Sequence, residues 1–226
     1  MSDLFSQFDL WSAFWMTIKL TVLGAIGSLV LGTIIAIFRL SPVRMLRALG
    51  TAYVTVFRNT PLTLLVFACS LVIWQTLGIT LTSSHSKDFF TVNNFRLAIV
   101  ALSVYHASFV CESIRSGVNT IPLGQAEAAR SIGLSFGQTL REVILPQAFR
   151  GAVTPLGNTL IALTKNTTVV MTIGVAEVSF QLARVNEFRS DLLNLAFLVS
   201  AIFFVVVTVP IGVATGSLAK RLAVKR

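Results

Sequence analysis

The side chains of this chain that could do chemistry are polar residues set inside long apolar stretches. Lys165, Asn166 and Thr167 are consecutive in one such stretch. Lys165 is ten residues beyond Pro155, so on a helix the two residues would be about 15 Å apart along the axis. A lysine at membrane depth costs about 2.5 to 3.5 kcal/mol unless water or a partner receives its charge. We therefore expect Lys165 to face a polar cavity, with Asn166 and Thr167 offering further contacts. A structural lysine held by a neighbouring helix is the alternative.

Other charged groups also fall in apolar stretches. Glu112 and Arg115 are three residues apart, so on a helix they share a face and could either pair with each other or contact a ligand. Arg58 begins the polar run 58–61, which ends in Pro61, and a proline frees a backbone carbonyl about one turn earlier. Arg58 could line a cavity, or it could extend its charge to the inner interface.

The sequence offers no pattern for catalysis, a metal or a bound cofactor. His85 and His106 are isolated, and Cys69 and Cys111 both lie in apolar stretches, where they are expected to be buried small residues. A packing or hydrogen-bonding role is the favoured interpretation for His106. A glycine-rich phosphate loop of the G-x-x-x-x-G-K-[ST] kind is absent from the sequence, so any nucleotide must be hydrolysed by another chain.

Composition identifies an all-α integral membrane protein. Of the 226 residues, 54% are hydrophobic and 12% are charged, against roughly 25% charged in an ordinary soluble domain. This length suffices for about five spans and short loops, so residues 1–226 are expected to form a single transmembrane domain. The net charge of +9 could indicate nucleic acid, but the basic residues cluster beside the apolar segments.

The apolar segments predict the spans and their orientation. Spans are expected at about 13–38, 51–77, 95–114, between 152 and 178, and at 192–213. On the first, Gly24, Gly27, Ser28 and Gly32 predict close helix packing. Basic residues follow the first, third and fifth spans, which places the amino terminus outside and the carboxyl terminus in the cytoplasm. Ser84 should then be reachable from outside and Ser131 should not, while 177–191 is expected to be a polar outer loop.

The longest run without a membrane-type segment is 124–146. Its sequence predicts two helices joined by a glycine hinge. Residues 125–132 favour a first helix that Gly133 ends in a left-handed cap. Ser135 and Gln138 have the spacing of a capping box, so a second helix is predicted to start there and to end before Pro146. From chemistry alone, this segment could be an amphipathic connector on the membrane surface.

These residues also carry a family resemblance. Glu127-Ala128-Ala129, Gly133 and the run 143–146 resemble the EAA loop of ABC-transporter permeases, the cytoplasmic helix pair that docks into the ATPase. The run 58–62, RNTPL, resembles the R-G-T-P-L stretch of polar amino acid permeases, with Asn59 in place of glycine. The approach to the loop through Glu112 and Arg115 is similar to their E-x-x-R-G-G pattern, with Ser116 for the first glycine.

The resemblance implies a type I ABC importer permease for polar amino acids of the histidine, glutamine and glutamate type, most like a glutamate permease. Its partners would be two ATPase subunits that use ATP and Mg²⁺, a second permease subunit, identical or homologous, and an extracytoplasmic amino-acid-binding protein, in a bacterial cell membrane. The residues it implies for coupling to the ATPase are Glu127, Ala128, Ala129, Gly133, Leu145 and Pro146. The candidates for substrate binding remain the polar residues set in apolar stretches: Lys165, Asn166, Thr167, Glu112, Arg115 and Arg58.

Another class remains open at this point. An ion-gradient-driven secondary transporter or channel would use the loop only as a connector, although the inverted repeats common in such transporters are not evident. A membrane enzyme is a more distant possibility, because the sequence offers no acid, base or metal cluster. Dependence on ATP separates the first two classes.

Overall fold

The computed structural model of the chain describes residues 2–83 and 87–222, apart from the side chains of residues 2, 3 and 6. The predicted labelling position Ser84, the isolated His85 and the basic residues at 225 and 226 lie outside the described residues. The α-helices are α1 (Ser2–Gln7), α2 (Leu10–Leu40), α3 (Arg44–Asn59), α4 (Leu62–Ala68), α5 (Phe89–Val118), α6 (Leu123–Ser131), α7 (Phe136–Gln138), α8 (Leu145–Asn166), α9 (Val178–Phe188) and α10 (Leu193–Leu222).

Helix α5 forms the centre of the fold, with α2 packed on one side and α8 on the other. The close packing predicted for α2 is confirmed, because its small residues face α5. A Cβ atom added at Gly32 would lie 2.6 Å from Cβ of Val110 and 2.8 Å from the carbonyl oxygen of Ala107. Such contacts let the two backbones approach closely, which is how helices associate in lipid.

The second predicted span is not one straight helix. The chain bends by 105° between α3 and the helical segment Leu62–Thr76, which continues α4 as a π-helix over Cys69–Thr76. Pro61 has no amide to donate, and Thr60 before it is extended. The side chains of Asn59 and Thr60 donate to the carbonyl oxygens of Thr55 and Val56 at 2.7 and 2.8 Å, so they satisfy acceptors that the break exposes.

Three described helices are long and apolar enough to cross a membrane: α2, α5 and the segment Ser190–Leu222, which contains α10. The count reaches the predicted five if each of two bent pairs is one span. The second pair is Phe136–Ile173 with α9, bent by 53°. Helix α10 exposes half of its large apolar side chains, as expected of a helix that faces lipid.

The predicted hinge between the loop helices is confirmed, and the predicted end of the second helix is wrong. Gly133 has φ +91°, and the amide of Ser135 and the side chain of Gln138 form the expected capping box at 2.9 Å. However, α7 continues through a π-helix at Thr139–Ile144 directly into α8, and Pro146 lies in the first turn of α8. The amide of Leu145 donates to Leu140 five residues back, and this wider turn gives the proline ring room.

The expected polar outer loop at 177–191 is mostly helical. Helix α8 continues as a 3₁₀-helix over Thr167–Ile173 and ends at Gly174, which has φ +78°. The buried carboxylate of Glu177 then accepts the amides of Ser179 and Phe180 at 2.9 and 3.0 Å, and so it caps the amino terminus of α9. The sequence prediction missed α9 because its charged residues suggested a loop.

Candidate functional site

A mainly apolar cleft of about 240 Å³, with a few polar groups in its wall, lies where α5 and α8 pack against each other. Its wall combines aromatic rings with amide and hydroxyl groups, the mixture that suits a small polar ligand. The residues that line it are Tyr105, His106, Phe109, Asn158, Thr159, Ala162 and Asn166.

His106 and Asn166 are hydrogen-bonded across this cleft. His106 Nδ1 lies 2.9 Å from the carbonyl oxygen of Leu102, which can only accept, so the ring proton is on Nδ1. His106 Nε2 then accepts from the Asn166 amide nitrogen, 3.1 Å away. The hydrogen-bonding role predicted for His106 is confirmed, and the Asn166 side-chain oxygen is left as an acceptor without a partner among the described residues.

His106, Asn158 and Thr159 are not among the site residues predicted from the sequence. A signal was available on α8, because Asn158, Ala162 and Asn166 are four residues apart and so lie on one helix face. The matching face of α5 could not be recognised without knowing how the two helices align. The Ser113 and Thr159 hydroxyls, 3.3 Å apart, show that alignment.

Lys165 and Thr167 point away from the cleft that their neighbour Asn166 lines. Lys165 is exposed on the outer face of α8 and makes no ion pair with the described residues. Thr167 is buried, and its hydroxyl donates to the carbonyl oxygen of Thr164 at 2.8 Å. Successive residues on a helix are about 100° apart, which separates the three side chains.

Glu112 and Arg115 are paired with each other, one of the two alternatives left by the sequence. Arg115 Nη1 lies 3.4 Å from Glu112 Oε2, and Glu112 Oε1 accepts from Arg39 at the end of α2. Glu112 therefore joins α2 to α5. It lies six residues beyond His106, which is about 9 Å along α5 toward the loop. Arg58 is exposed at the end of α3. The charged residues predicted to bind substrate are therefore spread over α3, α5 and α8 and do not form one cluster.

The loop after α5 presents an exposed two-helix surface. Glu127 and Ala128 of α6 are exposed, whereas Ala129 is buried against the following helical segment. Large apolar side chains flank the loop helices in the open: Leu123 is 85% exposed and Ile132 is 79% exposed. Leu145 is half-buried, and Pro146 is exposed. Apolar residues exposed on a loop outside the long apolar helices are typical of a protein-docking surface.

The fold and this loop define the class of protein. The chain belongs to the family described as "binding-protein-dependent transport system inner membrane component", which matches residues 28–224. It is thus an all-helical membrane subunit of the type I ABC importer permease class, in which ATP is hydrolysed by a separate subunit. The family prediction from the EAA loop is confirmed, and ATPase and substrate-binding partners are implied.

Sequence relatives and a solved structure each match nearly the whole chain. The glutamate transport system permease protein GluC of Corynebacterium glutamicum is 52% identical over 95% of this chain and 94% of its own length. The probable glutamine ABC transporter permease protein GlnM of Bacillus subtilis is 32% identical over 98% and 97%. The crystal structure of an amino acid ABC transporter with histidines matches 94% of this chain and 93% of its own, with a TM-score of 0.78 and 26% identity. None of these supports an ion-gradient-driven transporter.

Proposed function

We propose that this chain is the permease subunit of an ATP-driven importer for glutamate. The observation that supports glutamate as the substrate is the 52% identity to a glutamate transport system permease over 95% of the chain. Residues 1–226 form one transmembrane permease domain in this proposal.

The cleft between α5 and α8 is the proposed substrate site. The free side-chain oxygen of Asn166 accepts from the α-ammonium group of the amino acid, and His106 holds the amide in that orientation. Lys165, Arg58 and Arg115 supply positive charge for the carboxylates, with Lys165 turned toward a neighbouring subunit. Thr167 and Glu112 remain candidates whose side chains would have to exchange their present partners for substrate.

The segment 124–146, here called the coupling loop, is the proposed contact with the ATPase subunits, which bind ATP and Mg²⁺. Glu127, Ala128, Ala129 and Gly133 form its first part, and Leu145 and Pro146 join it to α8. A second permease subunit, identical or homologous, and an extracytoplasmic amino-acid-binding protein complete the importer. The chain itself binds no cofactor in this proposal.

Reconstituted transport tests the proposed substrate. The permease would be purified with its ATPase, its partner permease and its binding protein and placed in liposomes. We expect uptake of labelled glutamate that requires internal ATP and persists when ionophores remove all ion gradients. Excess unlabelled glutamate should compete better than glutamine. Uptake driven by an ion gradient without ATP, or preferred uptake of a neutral amino acid, would overturn the proposal.

The proposed orientation places the protein in a bacterial cell membrane with the amino terminus outside and the carboxyl terminus in the cytoplasm. Ser131 is exposed on α6, so Ser131→Cys offers a readable position once Cys69 and Cys111 are replaced. An impermeant thiol reagent should label it only after the cells are opened. Labelling in intact cells would reverse the proposed orientation.

A further inference from the structure

One face of α3 carries basic and hydroxyl side chains along its whole length. Arg44, Arg47, Thr51, Thr55 and Arg58 are separated by three or four residues, so they form a single row on the helix. All five are exposed. We call this set the arginine row of α3. The row crosses the predicted boundary between the first cytoplasmic loop and the second span, which was expected to begin at residue 51.

The face of α3 next to this row is fixed against α2 and α5. Val54 is buried in a cluster with Ile35 and Val110, and the Tyr53 hydroxyl donates to the carbonyl oxygen of Val104 at 2.7 Å. At Gly50, an added Cβ would lie 3.2 Å from the carbonyl oxygen of Ile35. Because that neighbouring face is committed to the core, the arginine row lies beside it at the surface of the described chain.

The row runs from the level of the cleft toward the cytoplasmic end of α2. Tyr53 reaches Val104, and the next residue, Tyr105, lines the cleft. In the other direction, Arg44 begins α3 just after α2 ends at Leu40. From Arg44 to Arg58 the helix rises about 21 Å. This is the distance that a solute in the cleft would have to cover to leave on the cytoplasmic side.

The arginines of the row have no acidic partner in the part of the chain that the structure describes. The ion pairs of the described residues involve Arg39, Arg115, Arg141 and Arg189, and none involves an arginine of the row. An arginine that faces hydrocarbon costs about 2.5 to 3.5 kcal/mol on insertion scales. A groove of about 710 Å³ lies along Arg44, Arg47, Thr51 and Thr55. Water and a mobile anion would satisfy this face.

We propose that the arginine row of α3 is the wall of the inward path and binds the carboxylates of the acidic amino acid as it leaves the cleft. The inference rests on the proposed function and names residues for its exit step. Two copies of the row facing each other would repel, so the row is not a self-complementary contact. Lipid headgroups could reach Arg44 near the interface but not Arg58 at the level of the cleft. Hydroxyls between the cations let an anion pass without one tight site.

Glutamine substitutions of Arg47 and Arg58 test the row in the reconstituted complex described above. In phosphatidylcholine liposomes, we expect Arg47→Gln and Arg58→Gln each to lower the maximal rate of glutamate uptake roughly fivefold, the factor for losing one close charge contact in a wet path. Arg58→Lys should keep most of the rate because it keeps the charge. Arg150→Gln is the matched control, since Arg150 is exposed on α8 outside the row and makes no ion pair in the described chain.

The outcomes separate the inference from the function on which it rests. If the wild-type complex moves no glutamate, the proposed function fails. If the wild-type complex transports glutamate and both glutamine variants match it, only the arginine row fails. The inference also fails if Arg150→Gln is equally impaired, or if the losses appear only when phosphatidylglycerol is added, which would assign the row to lipid. Loss of the partner permease from the purified variants would instead assign it to a subunit interface.

Discussion

His106 Nε2 lies 3.1 Å from the side-chain nitrogen of Asn166, across the contact between α5 and α8. The two residues are 60 positions apart in the chain, and their bond fixes the orientation of the Asn166 amide. Asn166 therefore presents a defined acceptor to the cleft. His106, for which packing alone was one expectation from the sequence, is thus a positioning residue for the proposed site.

Replacing Asn166 should impair transport without loss of the complex. Asn166→Ala removes the free acceptor, and a lost hydrogen bond to a charged group is worth about 1.5 to 3 kcal/mol, so we expect uptake at low glutamate to fall at least about tenfold. Asn186→Ala, at an exposed position of α9, is the control. His106→Gln, which can still accept from the Asn166 amide, should retain more uptake than His106→Ala. Equal uptake by these two variants would remove the positioning role.

Gly133 should be required for the docking of the ATPase. Its φ of +91° is strained for any residue with a Cβ, and most of all for a β-branched one. Gly133→Val should therefore change the angle between the loop helices and reduce both ATPase co-purification and uptake, while membrane insertion persists. Gly137→Val is a matched control, because both glycines have open space around them but Gly137 has an ordinary negative φ. Normal uptake by Gly133→Val would exclude the loop from coupling.

Gly117 marks the point where α5 crosses α8. An added Cβ would overlap the carbonyl oxygen of Ala148 and lie 3.0 Å from the amide nitrogen of Ala152, so the helices would have to separate. We expect Gly117→Ala to destabilise the fold by about 1 to 3 kcal/mol, the range for overpacking. The thermal unfolding midpoint of the purified protein measures this.

Gly124→Ala is the control for that measurement, since an added Cβ at Gly124 meets nothing within 4 Å. Its midpoint should stay at or slightly above that of the wild type, because alanine favours helix. Equal midpoints for the two variants would show that α5 and α8 can separate at Gly117 without loss of stability, and would contradict the prediction.

Glu112 should stabilise the junction of α2 and α5. Glu112→Gln leaves Arg39, whose side chain is only 12% exposed, without its carboxylate partner. We expect a loss of about 1 to 3 kcal/mol, below the value for a fully buried pair because Glu112 is itself 32% exposed. Glu142→Gln breaks a more exposed pair with Arg141 and should cost less than about 1 kcal/mol. Chemical denaturation of the two variants in detergent compares these losses, and equal values would contradict the assignment.

The sequence predicted those features whose signals are local. The capping box at Ser135 and Gln138 and the turn at Gly133 depend on residues within a few positions, and both are present. The passage of the helix through Pro146 was not predictable in this way, because it depends on a widened turn that only the folded segment shows. Single-residue rules for proline therefore placed the helix end wrongly.

The candidate site needed information about which helices are neighbours. Glu112 and Arg115 could be paired from their spacing, but Arg39 lies 73 residues before Glu112, just after the first predicted span. The bond between His106 and Asn166 likewise depends on how α5 and α8 align. Periodicity identifies helix faces, but it does not state which face meets which.

The π-helix at Thr139–Ile144 leaves no joint between the coupling loop and α8, which continues without interruption through Pro155 to Asn166. From Leu145 to Asn166, α8 is about 31 Å long. A tilt of about 5° at its loop end would swing Asn166 sideways by about 3 Å, a hydrogen-bond length, and so would part its amide from His106. If an ATPase docks on the loop as proposed, a small rotation of it would therefore release a solute bound at Asn166 in the proposed site.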